Sequence, residues 1–115
     1  MTNKFYFNLK EVLDTPVNNI CIKFDNKDKD LATVTFSYKI FLRIPKEVYV
    51  CGEFDNWKEK HPMNYNNKFG KWACTLKIKK GKYLYKYNVD GNWEINPNDL
   101  SVSGDDGFVN NIVYI

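Results

Sequence analysis

Hydrophobic and polar positions alternate with period two along most of this chain. That period marks strands with one face buried. Val34, Phe36, Tyr38, Ile40 and Leu42 alternate with Thr33, Thr35, Ser37 and Lys39 across Leu31–Arg43. This run predicts one strand, or a strand bent across two sheets. Val48 and Val50 mark a short strand. Trp72, Cys74, Leu76 and Ile78 alternate with Lys71, Ala73, Thr75 and Lys77; Tyr83, Tyr85, Tyr87 and Val89 alternate with Leu84, Lys86 and Asn88. Phe108–Ile115 closes the chain with another β-rich run. Turn signals separate these runs: Asn66-Asn67, Lys80-Gly81, Asp90-Gly91 and the Gly104–Gly107 loop. Asp90-Gly91 is the strongest of them, because a type I′ hairpin needs two positive φ values in succession. Short strands at this spacing predict an all-β chain folded as one antiparallel, immunoglobulin-like β-sandwich domain.

The start of the chain is less regular. Phe5–Leu13 reads as a strand or as a short helix. Ile20, Ile22 and Phe24 alternate like a strand, and Asp25–Asp30 (DNKDKD) then forms the charged tip of a hairpin into Leu31. A calcium loop at DNKDKD lacks the Gly and the late Glu that such a loop uses. The expected organisation is an extension or extra hairpin over residues 1–30 and the sandwich over residues 31–115.

Composition narrows the classes. At 115 residues the chain fits one domain, and 17% aromatic content is too high for a disordered one. No apolar run is long enough for a membrane span, and Lys and Glu interrupt the window a signal peptide needs. Cys21, Cys51 and Cys74 are odd in number, with no close pair. They read as reduced thiols in a cytoplasmic protein, and their spacing excludes a zinc site built on paired cysteines. The net charge of +3 comes from interleaved Lys and acidic residues, with no basic cluster for nucleic acid.

The inventory for catalysis is poor. His61 is the only histidine and precedes Pro62, which reads as a loop. One histidine leaves little for a thiolate–imidazole pair with Cys51 or Cys74. Glu53 and Asp55, or Asp105 and Asp106, are carboxylate pairs without the deep cleft that glycosidases use. No catalytic residue, metal site or cofactor is expected.

Two tryptophans stand out instead. Trp57 ends Gly52-Glu53-Phe54-Asp55-Asn56-Trp57, and Trp93 follows the Asp90-Gly91 turn. Both read as loop residues, whereas Trp72 fits strand alternation and reads as core. Each loop indole either folds back onto the sandwich edge or waits for a ligand to cover it. Lys86 lies on the polar side of the strand leading to Trp93. Asn110 and Asn111 sit in the last strand, where Asn is disfavoured; they read as solvated edge amides or as amides aimed at hydroxyls. Indole faces suit the apolar C–H face of glucose, and Lys and Asn suit its rim hydroxyls. Two indoles set at an angle fit the curve of an α-1,4-glucan.

These residues carry a family resemblance. Lys46–Trp57 (KEVYVCGEFDNW) resembles the opening of the family 48 carbohydrate-binding modules, in particular the glycogen-binding domain of AMP-activated protein kinase β subunits. The resemblance continues through His61-Pro62-Met63, Lys71-Trp72, Gly81-Lys82-Tyr83, Tyr85-Lys86-Tyr87, Val89-Asp90-Gly91-Asn92-Trp93, Asn96-Pro97 and Val109-Asn110-Asn111-Ile112. It implies a β-sandwich that binds glycogen, starch or amylopectin without chemistry, with Trp57, Lys86, Trp93 and Asn110 as sugar contacts. It further implies that kinase subunits or glucan-processing enzymes are partners, or that the module serves protein interaction with vestigial sugar binding. Two positions depart from the family: Asp106 stands where a Leu usually projects through a ring of glucoses, and Phe108 replaces a Thr. Asp106 supplies no apolar wedge; Phe108 is either a substitute stacking face or core.

Overall fold

In a computed structural model, residues 20–40 and 42–115 are described. The Phe5–Leu13 segment lies outside the described residues. The described chain forms β1 (Cys21–Phe24), β2 (Leu31–Tyr38), β3 (Val48–Gly52), a 3-10 turn (Glu53–Asp55), β4 (His61–Pro62), β5 (Asn64–Asn66), β6 (Lys71–Lys79), β7 (Lys82–Val89), β8 (Asn92–Glu94), β9 (Ser101–Ser103) and β10 (Val109–Tyr114). The strands build two antiparallel sheets. The first has the order β1-β2-β6-β5, and the second β4-β3-β7-β10-β9, with β8 also paired to β7.

The alternation read from the sequence sets which side of each strand is buried. β2 and β6 pair from Leu31↔Lys79 to Tyr38↔Trp72. Directly opposed residues share a face, so Ala32, Val34, Phe36 and Tyr38 point inward with Ile78, Leu76, Cys74 and Trp72. From the second sheet, Val48, Val50, Tyr85, Tyr87, Val89 and Val113 meet them, and all are buried. Trp72 and Ile78 are buried, while Leu76 and Cys74 are partly buried and packed against this core. Ile22 and Val34 lie opposite each other in the β1–β2 hairpin, with Asp25 receiving the Lys27 and Asp28 N–H groups at its tip.

The predicted Leu31–Arg43 strand stops at Tyr38. Tyr38 is opposite Trp72, one residue from the start of β6, so the chain beyond it has no ladder to join. It crosses to the second sheet instead, leaving Leu42 98% exposed despite its place in the alternation.

Several polar groups in the core have partners, whereas the buried Trp72 Nε1 has none among the described residues. The Tyr85 hydroxyl donates to Asp99 Oδ2 at 2.7 Å, and burial pushes that phenol's pKa well up. Asn111 is fully buried. Its amide donates to the carbonyls of Asn96 and Leu100, and its Oδ1 accepts the Asn96 N–H at 2.7 Å. Asn111 therefore fixes the segment that leads into β9. Of the two readings of Asn110-Asn111, neither holds for Asn111: it is neither an edge amide nor free for a ligand.

Candidate functional site

The alternation that buries one face of β7 turns Leu84, Lys86 and Asn88 to the other. Asn88 lies opposite Tyr49 of β3 and Trp93 of β8; Lys86 lies opposite Cys51 of β3. On the other side of β7, Ile112 of β10 lies opposite Leu84. In the same register the step from Ile112 to Asn110 brings Asn110 beside Lys86. Asn110 in turn lies opposite Val102 of β9. Trp93, Lys86, Asn110 and Val102 thus share the outer face of the second sheet.

The hairpin that presents Trp93 is set by its turn. Asp90 has φ 49° and Gly91 φ 88°, and Val89 pairs with Asn92, so the two-residue turn is of the primed kind. The Asp90 carboxylate receives the Glu47 and Lys46 N–H groups and Arg43 Nη1 at 2.8–2.9 Å. These hydrogen bonds, the Glu47 N–H foremost, hold its carboxyl below the usual carboxylate range. Trp93 is 52% exposed. It stands on a three-residue strand rather than in a loop, a correction to the sequence reading; three residues are too few to show alternation.

Trp57 is held differently. The chain leaves β3 at Gly52, where a Cβ would meet the Phe54 ring at 2.3 Å and the Leu84 carbonyl at 2.9 Å. Asn56 and Trp57 then both take left-handed conformations, with φ 58° and 62°. The Trp57 N–H donates back to the Gly52 carbonyl at 2.9 Å. Glu53 Oε1 accepts the Leu84 N–H at 2.7 Å, tying the turn to β7. His61 Nε2 lies 2.7 Å from Asp55 Oδ2, tying it to β4. His61 is therefore a strand residue bracing the turn, where the sequence suggested a loop residue. Asp55, Glu59 and His61 bring their ligand atoms within 4.8 Å of one another, the one such group among the described residues. The short His61–Asp55 contact is a hydrogen bond and gives the group a structural use. Trp57 stays 41% exposed. Along β7, Trp93 lies on the Asn88 row and the Trp57 turn leaves β3 beside Tyr85, so Lys86 falls between them.

The two departures also have places. Phe108 is not core: it is 63% exposed, and Lys86 Nζ sits 5.8 Å from its ring centroid. Asp106 Oδ1 accepts the Phe108 N–H at 2.9 Å inside the β9–β10 loop. Of the sequence-derived residues, the fold brings Lys86 and Phe108 into contact, sets Asn110 beside Lys86 by register and Trp93 on the neighbouring Asn88 row, and bonds Asp106 to the Phe108 N–H; Trp57 stands on the turn after β3. Sequence reasoning missed Val102, because β9 is three residues long and exposed throughout. It also missed Glu53, whose partner Leu84 is 31 residues away.

Comparisons with known proteins identify the family of the chain. Residues 34–115 match the family described as the glycogen recognition site of AMP-activated protein kinase. Among curated relatives, the β-1 subunit of 5'-AMP-activated protein kinase from Sus scrofa is 36% identical over 70 residues, which is 61% of this chain and 55% of that protein. The human β-2 subunit is 34% identical over 71 residues, 61% of this chain and 25% of the relative. An amyloplastic phosphoglucan phosphatase of Castanea sativa is 40% identical over 60 residues, 51% of this chain and 16% of the relative. The matched segment thus spans 16% of the phosphatase, a quarter of the human β-2 subunit and about half of the Sus scrofa β-1 sequence. A pullulanase from Anoxybacillus, solved with maltotetraose, aligns over 82% of this chain and 13% of its own, with a TM-score of 0.50 and 22% identity; this likeness concerns the fold. The chain belongs to the family of glycogen recognition sites of AMP-activated protein kinase.

Proposed function

We propose that the chain binds α-1,4-glucan of the glycogen, starch and amylopectin type without acting on it chemically. Within a longer polypeptide it holds an attached kinase complex or glucan-processing enzyme on the polysaccharide. The observation that supports this reading is the half-exposed Trp93 indole on the sheet face that carries Lys86, with Asn110 beside the lysine by register, and a second half-exposed indole, Trp57, on the turn that leaves β3 next to β7. Glucose offers an apolar C–H face that stacks on an indole, and rim hydroxyls that pair with an ammonium and an amide. Three of the four carboxylates considered for chemistry have structural partners: Glu53 with the Leu84 N–H, Asp55 with His61, Asp106 with the Phe108 N–H. Cys21, Cys51 and Cys74 are free thiols, which supports a cytoplasmic setting.

Co-sedimentation with glycogen tests the reading. The protein is expected to pellet with the polymer, and Trp93→Ala and Trp57→Ala to remain in solution. Release of reducing ends from glycogen would overturn the non-catalytic part. A second reading, docking of a protein partner with vestigial sugar binding, is favoured by a groove of about 710 Å³ in which Tyr38, Ile40, Leu42, Ile95 and Pro97 stand among the charged and polar Lys39, Arg43, Glu94 and Asn98. A native chain that stays in solution with glycogen would favour that reading instead, and indole variants that pellet as the native chain does would remove Trp57 and Trp93 from the sugar site.

A further inference from the structure

The turn that carries Trp57 also gathers three side chains with metal-ligating atoms. Asp55, Glu59 and His61 bring one ligand atom each within 4.8 Å of one another. Local backbone and strand pairing assemble them. The left-handed Asn56 and Trp57 reverse the chain after Asp55, and the Lys58 N–H donates back to the Asp55 carbonyl at 3.2 Å. His61 is fixed on β4 opposite Val50. Its ring stands 5.7 Å from the Phe54 ring, which gives the group an apolar wall.

The hydrogen bonds of the fold leave this group incomplete. Asp55 Oδ2 has His61 Nε2 at 2.7 Å, but Asp55 Oδ1 is buried with no hydrogen-bond partner among the described residues. A buried carboxylate oxygen left bare is costly, and a bound cation satisfies it. Lysine does not supply that cation. Lys60 directs its ammonium over the Tyr49 ring, 5.9 Å from the centroid, and no lysine or arginine pairs with Asp55 or Glu59 among the described residues. The donor set has a chemical bias. An imidazole nitrogen with two carboxylates suits zinc and its first-row neighbours, whereas calcium and magnesium take oxygen ligands.

We propose that Asp55, Glu59 and His61 bind one divalent transition-metal ion of the zinc class, which ties the Trp57 turn to β4. Zinc ligands stand about 2.0–2.2 Å from the ion, so tetrahedral neighbours lie about 3.3–3.6 Å apart. The 2.7 Å Asp55–His61 contact opens slightly to admit the ion, which takes the place of the proton between them; that proton leaves to solvent. The exposed Glu59 closes in as the third ligand, and water completes the fourth position. The site stands whether or not the chain binds glucan.

Calorimetric titration of the chelator-treated full chain with zinc chloride tests the site, for the native protein, Glu59→Gln and His61→Gln. The native protein is expected to take up one ion and to melt at a higher temperature with zinc than without. The Glu59 carboxylate is exposed and receives no hydrogen bond from a described residue. Glu59→Gln should therefore keep the metal-free melting temperature while weakening zinc binding about tenfold or more. His61→Gln should abolish uptake. Cobalt in place of zinc should give an absorption spectrum without thiolate charge transfer. Failure of the native protein to take up one ion overturns the site, and so does native-like affinity in either variant. A thiolate band overturns it too, by placing the ion on Cys21, Cys51 or Cys74.

Discussion

Trp72 on β6 is 8% exposed and Trp93 on β8 is 52% exposed, and the difference separates the consequences of removing them. Trp72→Ala leaves a cavity in the core and should cost about 3–5 kcal/mol of stability, read as a large drop in melting temperature. Trp93→Ala removes a surface ring and should leave the melt nearly unchanged. It should weaken glucan binding by more than about 2 kcal/mol, roughly thirtyfold, the range of a binding hot spot. A Trp93→Ala protein that unfolds with no selective loss of binding would make that indole structural. The neighbouring asparagines make the same contrast at closer quarters. Asn111→Ala strands the Asn96 N–H and takes the amide donor from the buried Asn96 carbonyl, while the Leu100 carbonyl keeps the Ile112 N–H. The expected cost is about 3 kcal/mol, measured by chemical denaturation, whereas Asn110→Ala should lose binding and keep stability. The sequence offered Asn110 and Asn111 as an equivalent pair. Period two places them on opposite faces, but which face is inward depends on the β7–β10 register, a long-range fact.

Among the elements, what could be read depended on length and on turn chemistry. β2, β6 and β7 are long enough for their buried sides to show. The β7–β8 hairpin was legible because Asp90-Gly91 announces its own backbone conformation. β4, β5, β8 and β9 are two or three residues long, too short to carry a period. The hairpin also predicts an acid response. The Asp90 carboxyl is depressed in the folded state by the Glu47 N–H first, with the Lys46 N–H and Arg43 adding to it. A group depressed on folding stabilises above its unfolded pKa, about 3.9 for Asp. That stabilisation is lost as pH falls through the folded value. The melting temperature should therefore fall as pH drops below about 4, and Asp90→Asn should start lower at neutral pH and show a shallower acid limb. Parallel acid limbs in the two proteins would mean that Asp90 does not link folding to pH. Because Asp90 fixes the turn that carries Trp93, the same substitution should weaken glucan binding at neutral pH.

At the scale of the molecule, one core between two sheets leaves the candidate site on an outer sheet face, open to solvent, and this shapes its affinity. Such a face covers far less of a sugar than an enclosed pocket does. After the cost of association, a short maltooligosaccharide should bind with roughly −4 to −7 kcal/mol, a Kd from about millimolar to about 10 μM. Glycogen presents many chain segments per particle, so rebinding should raise the apparent affinity on polymer with no new contact. Charge has little part in this. The chain's +3 net charge finds no opposite field on a neutral glucan, and Lys86 serves as a hydrogen-bond donor. Binding should then change little between low and high salt. The β9–β10 loop adds a shape criterion: with Asp106 turned to its own backbone, nothing at that position threads a sugar ring. Cyclic maltoheptaose should bind within about tenfold (about 1.4 kcal/mol) of the linear heptamer. Calorimetric titration of both sugars at two salt concentrations checks these statements together. A cyclic sugar favoured by more than that would show another side chain filling the ring. A steep loss of binding with salt would point to a charged ligand, and so to a protein partner rather than a polysaccharide.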